Sequence, residues 1–331
     1  MRISYNTDLG NLNTNVGYGV AGYNIITSLQ RLGHEVPFAD STAPVEIFFC
    51  QPEYWWFSGE ENGNPDQYKI GYVPWESTEI PEMWWPGLKA VDEVWTTSQW
   101  CKEAFEAAGV PGPVKVFEHG LDPIWKPVRR NVINKFKFLH IGEPAPRKGG
   151  SLTVRAFMEL FEGNDQVELT LKAHSACWAR YEKNGRNVPL NSIKNINIIE
   201  GNEPEEQLLA YYMGHHAFVY PSWGEGFGFI PLQALGTGMP TICTEAWAPY
   251  KQFLSPLGVD STIVESPWND MHPGKMHEPS LEDLKEKMWL AYTDYKKLQQ
   301  KFYNQAELVH KHYNWDRLTE EAFEPIVKKF S

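Results

Sequence analysis

Short apolar runs alternate with helix-period stretches along the whole chain, and this alternation restricts the fold more than any other feature. It predicts parallel sheets covered by helices, an α/β architecture. Strands are expected over Arg2–Asn6, Glu35–Phe38, Glu46–Cys50, Lys69–Val73, Asp92–Thr96 and Val114–Phe117. Helices are expected from Tyr18 to Leu32, before Gly33, and from Gln99 to Ala108 after an N-cap at Ser98. A second set of strands covers Phe136–Ile141, Val167–Leu171, Ile196–Ile199, Ala217–Tyr220 and Thr241–Cys243. Helices over Leu281–Val309 and Trp315–Phe330 close the chain. Between the two sets, Pro123–Lys135 is proline-bearing, basic and aperiodic, so it reads as a linker.

At 331 residues the chain is too long for one ordinary core. Two domains follow, residues 1–130 and 131–314, with the helix 315–331 packing back on the first. Each is expected to be a doubly wound, Rossmann-like unit, the pair facing across a cleft. Open α/β sheets bind ligands beyond the carboxyl ends of their strands, so the cleft is the expected site.

Composition removes several function classes. The net charge of -12 opposes a general affinity for nucleic acid, which needs clustered Lys and Arg. Cys50, Cys101, Cys177 and Cys243 are scattered without a C-x-x-C pair, which predicts free thiols in a reducing compartment and no zinc site. No apolar stretch is long enough to span a membrane and the N-terminus lacks an apolar signal region, so a soluble, cytoplasmic protein is expected.

The segment Ala217–Cys243 (AFVYPSWGEGFGFIPLQALGTGMPTIC) carries the most specific chemistry. A strand runs into a loop holding Gly224, Gly226 and Gly228, and a helix begins near Phe229. Glycines allow close backbone approach, and the free N–H groups of a helix start attract anions. Glu225 is placed to accept hydrogen bonds from sugar hydroxyls. The same residues also fit a tight βα turn with a solvent-facing glutamate.

The wider pattern, P-S-x-x-E-G-F-G-x-x-x-x-x-A-x-x-x-G-x-P, resembles the donor-binding signature of retaining glycosyltransferase family 4, which has the GT-B fold. In that family a first glutamate contacts the donor sugar and a second contacts the ribose. Glu225 matches the first, while Gln233 stands at the second, where a neutral group should bond ribose more weakly. His140–Gly150 (HIGEPAPRKGG) resembles the family's G-x-x-x-x-K-G segment, whose basic residues hold the donor pyrophosphate. Lys148 matches the lysine; Glu143 replaces the usual arginine, and Arg147 is its candidate substitute. Asp92–Asp122 resembles the segment that ends the family's first domain, and His312–Phe330 its C-terminal Trp-bearing helix.

The resemblance implies a nucleotide-sugar donor such as a UDP- or GDP-sugar, no other cofactor, and a hydroxyl acceptor on a glycan, a lipid-linked substrate or another polymer. The implied catalytic set is Lys148, Glu225, Arg147, Glu76 and His119. The implied donor contacts are Gly17, Tyr18, Gly19, Gly226, Phe227, Gly228, Gln233 and Lys172. The chain has no D-x-D pair, the motif with which the other common glycosyltransferase fold holds a divalent metal. A metal-independent site is therefore expected, and the adjacent His215 and His216 should point apart. Glu76, in Val73–Trp85 (VPWESTEIPEMWW), suits an acceptor contact or proton acceptor, or equally an N-cap or surface carboxylate. Trp75, Trp84 and Trp85 suit a stacked sugar acceptor or core packing. Trp55, Trp56 and Phe57 suit an acceptor groove or peripheral membrane contact. His119 suits a donor-sugar contact or loop ordering.

Rival readings share these residues. Gly17–Gly22 (GYGVAG) is a literal G-x-G-x-x-G with Asp40 after the next strand, the pattern of an NAD-dependent dehydrogenase. The intervening Asp8–Val16 opposes it, because the fingerprint needs a tight turn. A nucleotide-sugar epimerase, a non-catalytic sugar-nucleotide binder, or an enzyme modifying DNA bases also fit the resemblance.

Overall fold

The computed structural model describes residues 1–7, 17–55, 64, 66–132, 134–174, 180–183 and 186–330. Strands β1 (Ile3–Asn6), β2 (Val45–Phe48), β3 (Tyr68–Tyr72), β4 (Glu93–Thr96) and β5 (Val114–Val116) form one sheet in that order, all parallel. Helices α1 (Gly17–Arg31), α2 (Trp85–Leu88) and α3 (Gln99–Ala108) belong to this half. The Ser98 hydroxyl accepts from Cys101 N–H at the start of α3, and Gly109 ends it at φ 72°. The expected strand Glu35–Phe38 is reduced to two bridges, Arg2 with Glu35 and Tyr5 with Phe38. Pro37 has no N–H to give, although its carbonyl still accepts from Tyr5 N–H.

The second half contains β6 (Phe136–Ile141), α4 (Gly150–Phe161), β7 (Val167–Ala173), the pair β8 (Arg180–Lys183) and β9 (Arg186–Pro189), and β10 (Ile196–Glu200). It continues with α5 (Glu205–Gly214), β11 (Ala217–Tyr220), α6 (Phe229–Gly236), β12 (Thr241–Thr244) and β13 (Gly258–Val259). Its main sheet has the order β10-β7-β6-β11-β12-β13, parallel throughout. The chain therefore reverses its winding direction between β6 and β11. Loops leaving adjacent strands diverge there and open a crevice. Two antiparallel hairpins, β8–β9 and β14 (Ser261–Glu265) with β15 (Lys275–Pro279), add to what the sequence pattern indicated.

The expected helix Leu281–Val309 is two helices, α7 (Leu281–Thr293) and α8 (Tyr295–His312), broken at Asp294 with φ -107° and ψ 20°. The break re-aims the buried face, from Met288 and Ala291 to Leu298 and Phe302. Helix α9 (Trp315–Phe330) packs on α1 of the first half. Arg31 pairs with Asp316 at 2.6 Å, and the Phe323 ring meets Trp95 at 4.8 Å. Gly120 lies so close to the Trp315 ring that a Cβ would stand 2.5 Å from it, which keeps the chain crossing tight.

Candidate active site

The site is built where β6 and β11 separate. The loop after β6 carries Arg147 and Lys148, and the loop after β11 carries Ser222–Gly228. Gly149 adopts φ 75° against the Pro221 backbone, where a side chain would collide. That contact sets the two loops side by side. Glu225 lies between them at 5% exposure.

Lys148 Nζ donates to Glu225 Oε2 at 2.8 Å and Oε1 at 2.9 Å. Ser222 Oγ donates to Oε1 at 2.7 Å and the Tyr220 hydroxyl at 3.1 Å, with Arg147 Nη1 at 3.3 Å. Burial alone would raise the Glu225 pKa, but Lys148 and Arg147 overcome it and hold the carboxyl at about 2. Burial and the neighbouring Arg147 lower the Lys148 pKa against the pull of Glu225. Arg147 also donates to Gly224 O and lies 3.5 Å from Glu76 Oε1 of the first half. Both cations are thus held against carboxylates, and Lys148 lines the cavity of this crevice while Arg147 is not among its lining residues.

The first half closes the crevice. Thr97 Oγ1 donates to Gly226 O at 2.7 Å, and the Cys101 thiol donates to the same oxygen at 3.2 Å. A Cβ on Gly226 would collide with Pro74. The resulting cavity has a volume of about 490 Å³, within the range of small-ligand sites. Lys148, Glu225, Gly226, Phe227 and Gly228 line it, as do Gly17, Tyr18, Glu76, His119, Lys172 and Gln233. Gly19 does not line it; it is buried inside α1.

His119 stacks on Phe229 at 4.6 Å and 12°, and both of its ring nitrogens are buried with no hydrogen-bond partner among the described residues. Burial lowers its pKa to about 3, so the ring is neutral and offers one donor and one acceptor. Lys172 donates to Gly201 O and pairs with Glu203 at 3.2 Å. Gln233 Oε1 faces the Tyr212 hydroxyl at 3.2 Å. Glu143 meets His174 at 2.5 Å at the cavity mouth.

Several expectations need correction. The glycines of Gly17–Gly22 stand within α1 rather than in a turn before it, and Asp40 pairs with Arg2 at 2.5 Å, so no dinucleotide fingerprint is formed. Trp55, Trp75 and Trp84 are 1%, 4% and 5% exposed, so they pack in the core and offer no stacking face. Trp55 sits over Gly71, and Trp75 meets Trp84 at 4.5 Å. Trp85 is half-buried against that core. Trp56, Phe57, Cys177 and Asp8–Val16 lie outside the described residues. Cys101 and Cys243 are free and buried, and Cys50 is buried as well. His215 bonds Thr170 and His216 accepts from Lys137 N–H, on different sides of the turn.

Residues 97–321 match the family described as GT4-conflict, "Family 4 Glycosyltransferase in conflict systems". That span is more than half the chain. The chain belongs to this glycosyltransferase family. It is also 21% identical to a protein named putative glycosyltransferase 45 of Sulfolobus islandicus filamentous virus, over 97% of this chain and 93% of the relative. Among solved structures, sucrose-phosphate synthase from Thermosynechococcus elongatus superposes with a TM-score of 0.69 at 14% identity, covering 100% of this chain and 99% of that one. Anabaena HepE, solved in complex with UDP and glucose, gives 0.66 at 12% identity over 99% and 100%. WaaG, a glycosyltransferase of lipopolysaccharide biosynthesis, gives 0.64 at 13% identity over 97% and 98%. The fold is therefore GT-B. Among the described residues of this glycosyltransferase, no helix is long and apolar enough to cross a membrane. Nor do any three His, Cys, Asp or Glu residues among them cluster to hold a metal ion.

The sequence pattern carried Ser222 within the P-S-x-x-E-G-F-G signature but gave it no role, and it did not single out Tyr220 or Tyr212. Each is an ordinary core or turn residue by type, and only the folded loops bring them to Glu225 and Gln233.

Proposed function

We propose that this glycosyltransferase moves a sugar from a nucleoside diphosphate sugar to a hydroxyl acceptor with retention of anomeric configuration and without a metal ion. The observation that carries this reading is the Lys148–Glu225–Arg147 cluster at the point where the second sheet reverses. A donor diphosphate beside it would take over Lys148 and Arg147. The charge that grows on the leaving phosphate would then be stabilised by about 3–4 kcal/mol per good contact. Those two cations stand in for a divalent ion in this reading.

Glu225, released in part from Lys148, orients the sugar hydroxyls. His119, neutral and without a hydrogen-bond partner among the described residues, has one donor and one acceptor for the same sugar. Gln233 contributes to the ribose contact, and Lys172 with Glu203 forms the wall on the base side. In a retaining front-face path the leaving phosphate accepts the acceptor proton, so no strong protein base is needed. Glu76, paired with Arg147, then serves as an acceptor-side contact.

The test is a thermal-shift panel of UDP, GDP, ADP and their glucose, GlcNAc and mannose derivatives, with and without EDTA. A ligand at about 100 times its dissociation constant adds about 2.7 kcal/mol of stability. The reading fails if no nucleotide shifts the melting temperature, and its metal-independent part fails if EDTA abolishes the shift. Proton NMR of the transferred sugar reports the anomeric outcome.

A further inference from the structure

Position 233 leaves a gap in donor recognition. The Tyr212 hydroxyl lies 3.2 Å from Gln233 Oε1 and 3.1 Å from Ile230 O. With its oxygen turned to Tyr212, the Gln233 amide offers the cavity its N–H donors. Ribose hydroxyls carry protons of their own, and those need an acceptor.

An acceptor stands on the same wall. Glu205, at the start of α5, lines the cavity beside Leu208, Tyr212 and Gln233. The buried Trp125 indole N–H donates to Glu205 Oε1 at 2.8 Å. Trp125 is held in turn by its ring contact with Tyr212 at 5.1 Å and by His310 Nε2 at 2.9 Å from its carbonyl oxygen. Gln233, Tyr212, Trp125 and Glu205 thus form one continuous chain of contacts. Among the described residues Glu205 Oε2 makes no hydrogen bond, and no cation pairs with this carboxyl. Glu206, next in sequence, is exposed and supplies the acidic first turn that a helix start favours. Glu205 is instead fixed by an indole and turned to a cavity.

We propose that Glu205, positioned by Trp125, accepts a ribose hydroxyl of the donor nucleotide and makes this enzyme select ribonucleotides over deoxyribonucleotides. The assignment rests on the reading that the cavity takes a nucleoside diphosphate sugar. Charged acceptors bond hydroxyls more strongly than neutral ones, so the effect belongs to the carboxylate.

Isothermal titration of the full chain with UDP and GDP, and with their 2′,3′-dideoxy counterparts, tests it. Glu205→Gln should weaken ribonucleotide binding about tenfold, equivalent to about 1.4 kcal/mol, and leave dideoxynucleotide binding unchanged. Trp125→Phe keeps the ring and removes the N–H, and should lose affinity in the same selective way by a smaller factor. Equal weakening toward both nucleotide types would overturn the proposal, because it would mean a disturbed cavity wall. Unchanged binding of the ribonucleotide by Glu205→Gln would overturn it as well. If wild-type protein binds neither UDP nor GDP, the donor reading itself fails, and the Glu205 assignment goes with it.

Discussion

Lys148 contacts both carboxylate oxygens of Glu225, at 2.8 and 2.9 Å, in a crevice formed by two loops that are far apart in sequence. A buried pair of this kind adds little net stability, yet removing one partner is costly because it strands the other charge. Lys148→Met should therefore destabilise the fold by about 3 kcal/mol. The double variant Lys148→Met with Glu225→Gln should recover about 2 kcal/mol of that loss. Chemical denaturation of the wild type, Lys148→Met, Glu225→Gln and the double variant closes the cycle. All three variants should lose at least about a hundredfold in transfer rate; a fully active Lys148→Met would remove this residue from the mechanism.

Gly226 touches Pro74 of the other half with no room for a methyl group. Gly226→Ala should push the loop off the first half and cost about 1–3 kcal/mol of stability. Because Thr97 and Cys101 bond the Gly226 carbonyl, transfer should fall more than nucleotide binding does. Parallel measurement of kcat and nucleotide affinity separates the two effects.

His119 is buried neutral, with a pKa lowered to about 3. An unfolded histidine titrates near 6.5, so the folded state binds fewer protons between these values. The stability linked to this group is complete above about pH 6.5 and is lost as pH falls toward 3. His119→Phe should flatten the decline in melting temperature between pH 7 and pH 5. It should also reduce transfer sharply at pH 7, since a phenyl ring cannot hydrogen-bond a sugar. Retained transfer by His119→Phe would reduce its role to ordering the loop.

Glu118 shows the opposite sign. Burial raises its pKa to about 7 against the opposing charge of Arg317. The folded state therefore favours the neutral acid, and its cost is absent below the unfolded value near 4.5 and complete above about 7. Glu118→Gln should stabilise the protein by about 1 kcal/mol at pH 8, allowing for solvent screening, and change little at pH 5. Melting curves at the two pH values decide it.

Local rules made much of the fold legible. Ser98 and Gly109 bound α3 as an N-cap and a left-handed terminus, and β6, β11 and α9 occupy the ranges that their apolar patterns indicate. The break at Asp294 was not legible, since Tyr295 and Phe302 continue a helical pattern and only their packing redirects the chain. Aromatic residues were ambiguous for a related reason. Composition does not say whether Trp75 faces a ligand or Trp84, and burial answers that.

Residue order alone specified two parallel α/β units, the glycine-rich loop around Glu225 and the basic loop around Lys148. Those features depend on periodicity and on backbone conformations that only certain residues adopt, which act over a few neighbouring positions. Tertiary structure decided which side chains share a cavity. Arg147 meets Glu76, the His119 ring nitrogens are left without a hydrogen-bond partner among the described residues, and Glu205 meets Trp125 only because the sheet reverses between β6 and β11 and the C-terminal helix returns to the first half. These are contacts between distant segments, set by sheet order and domain packing, and a linear pattern holds no record of them.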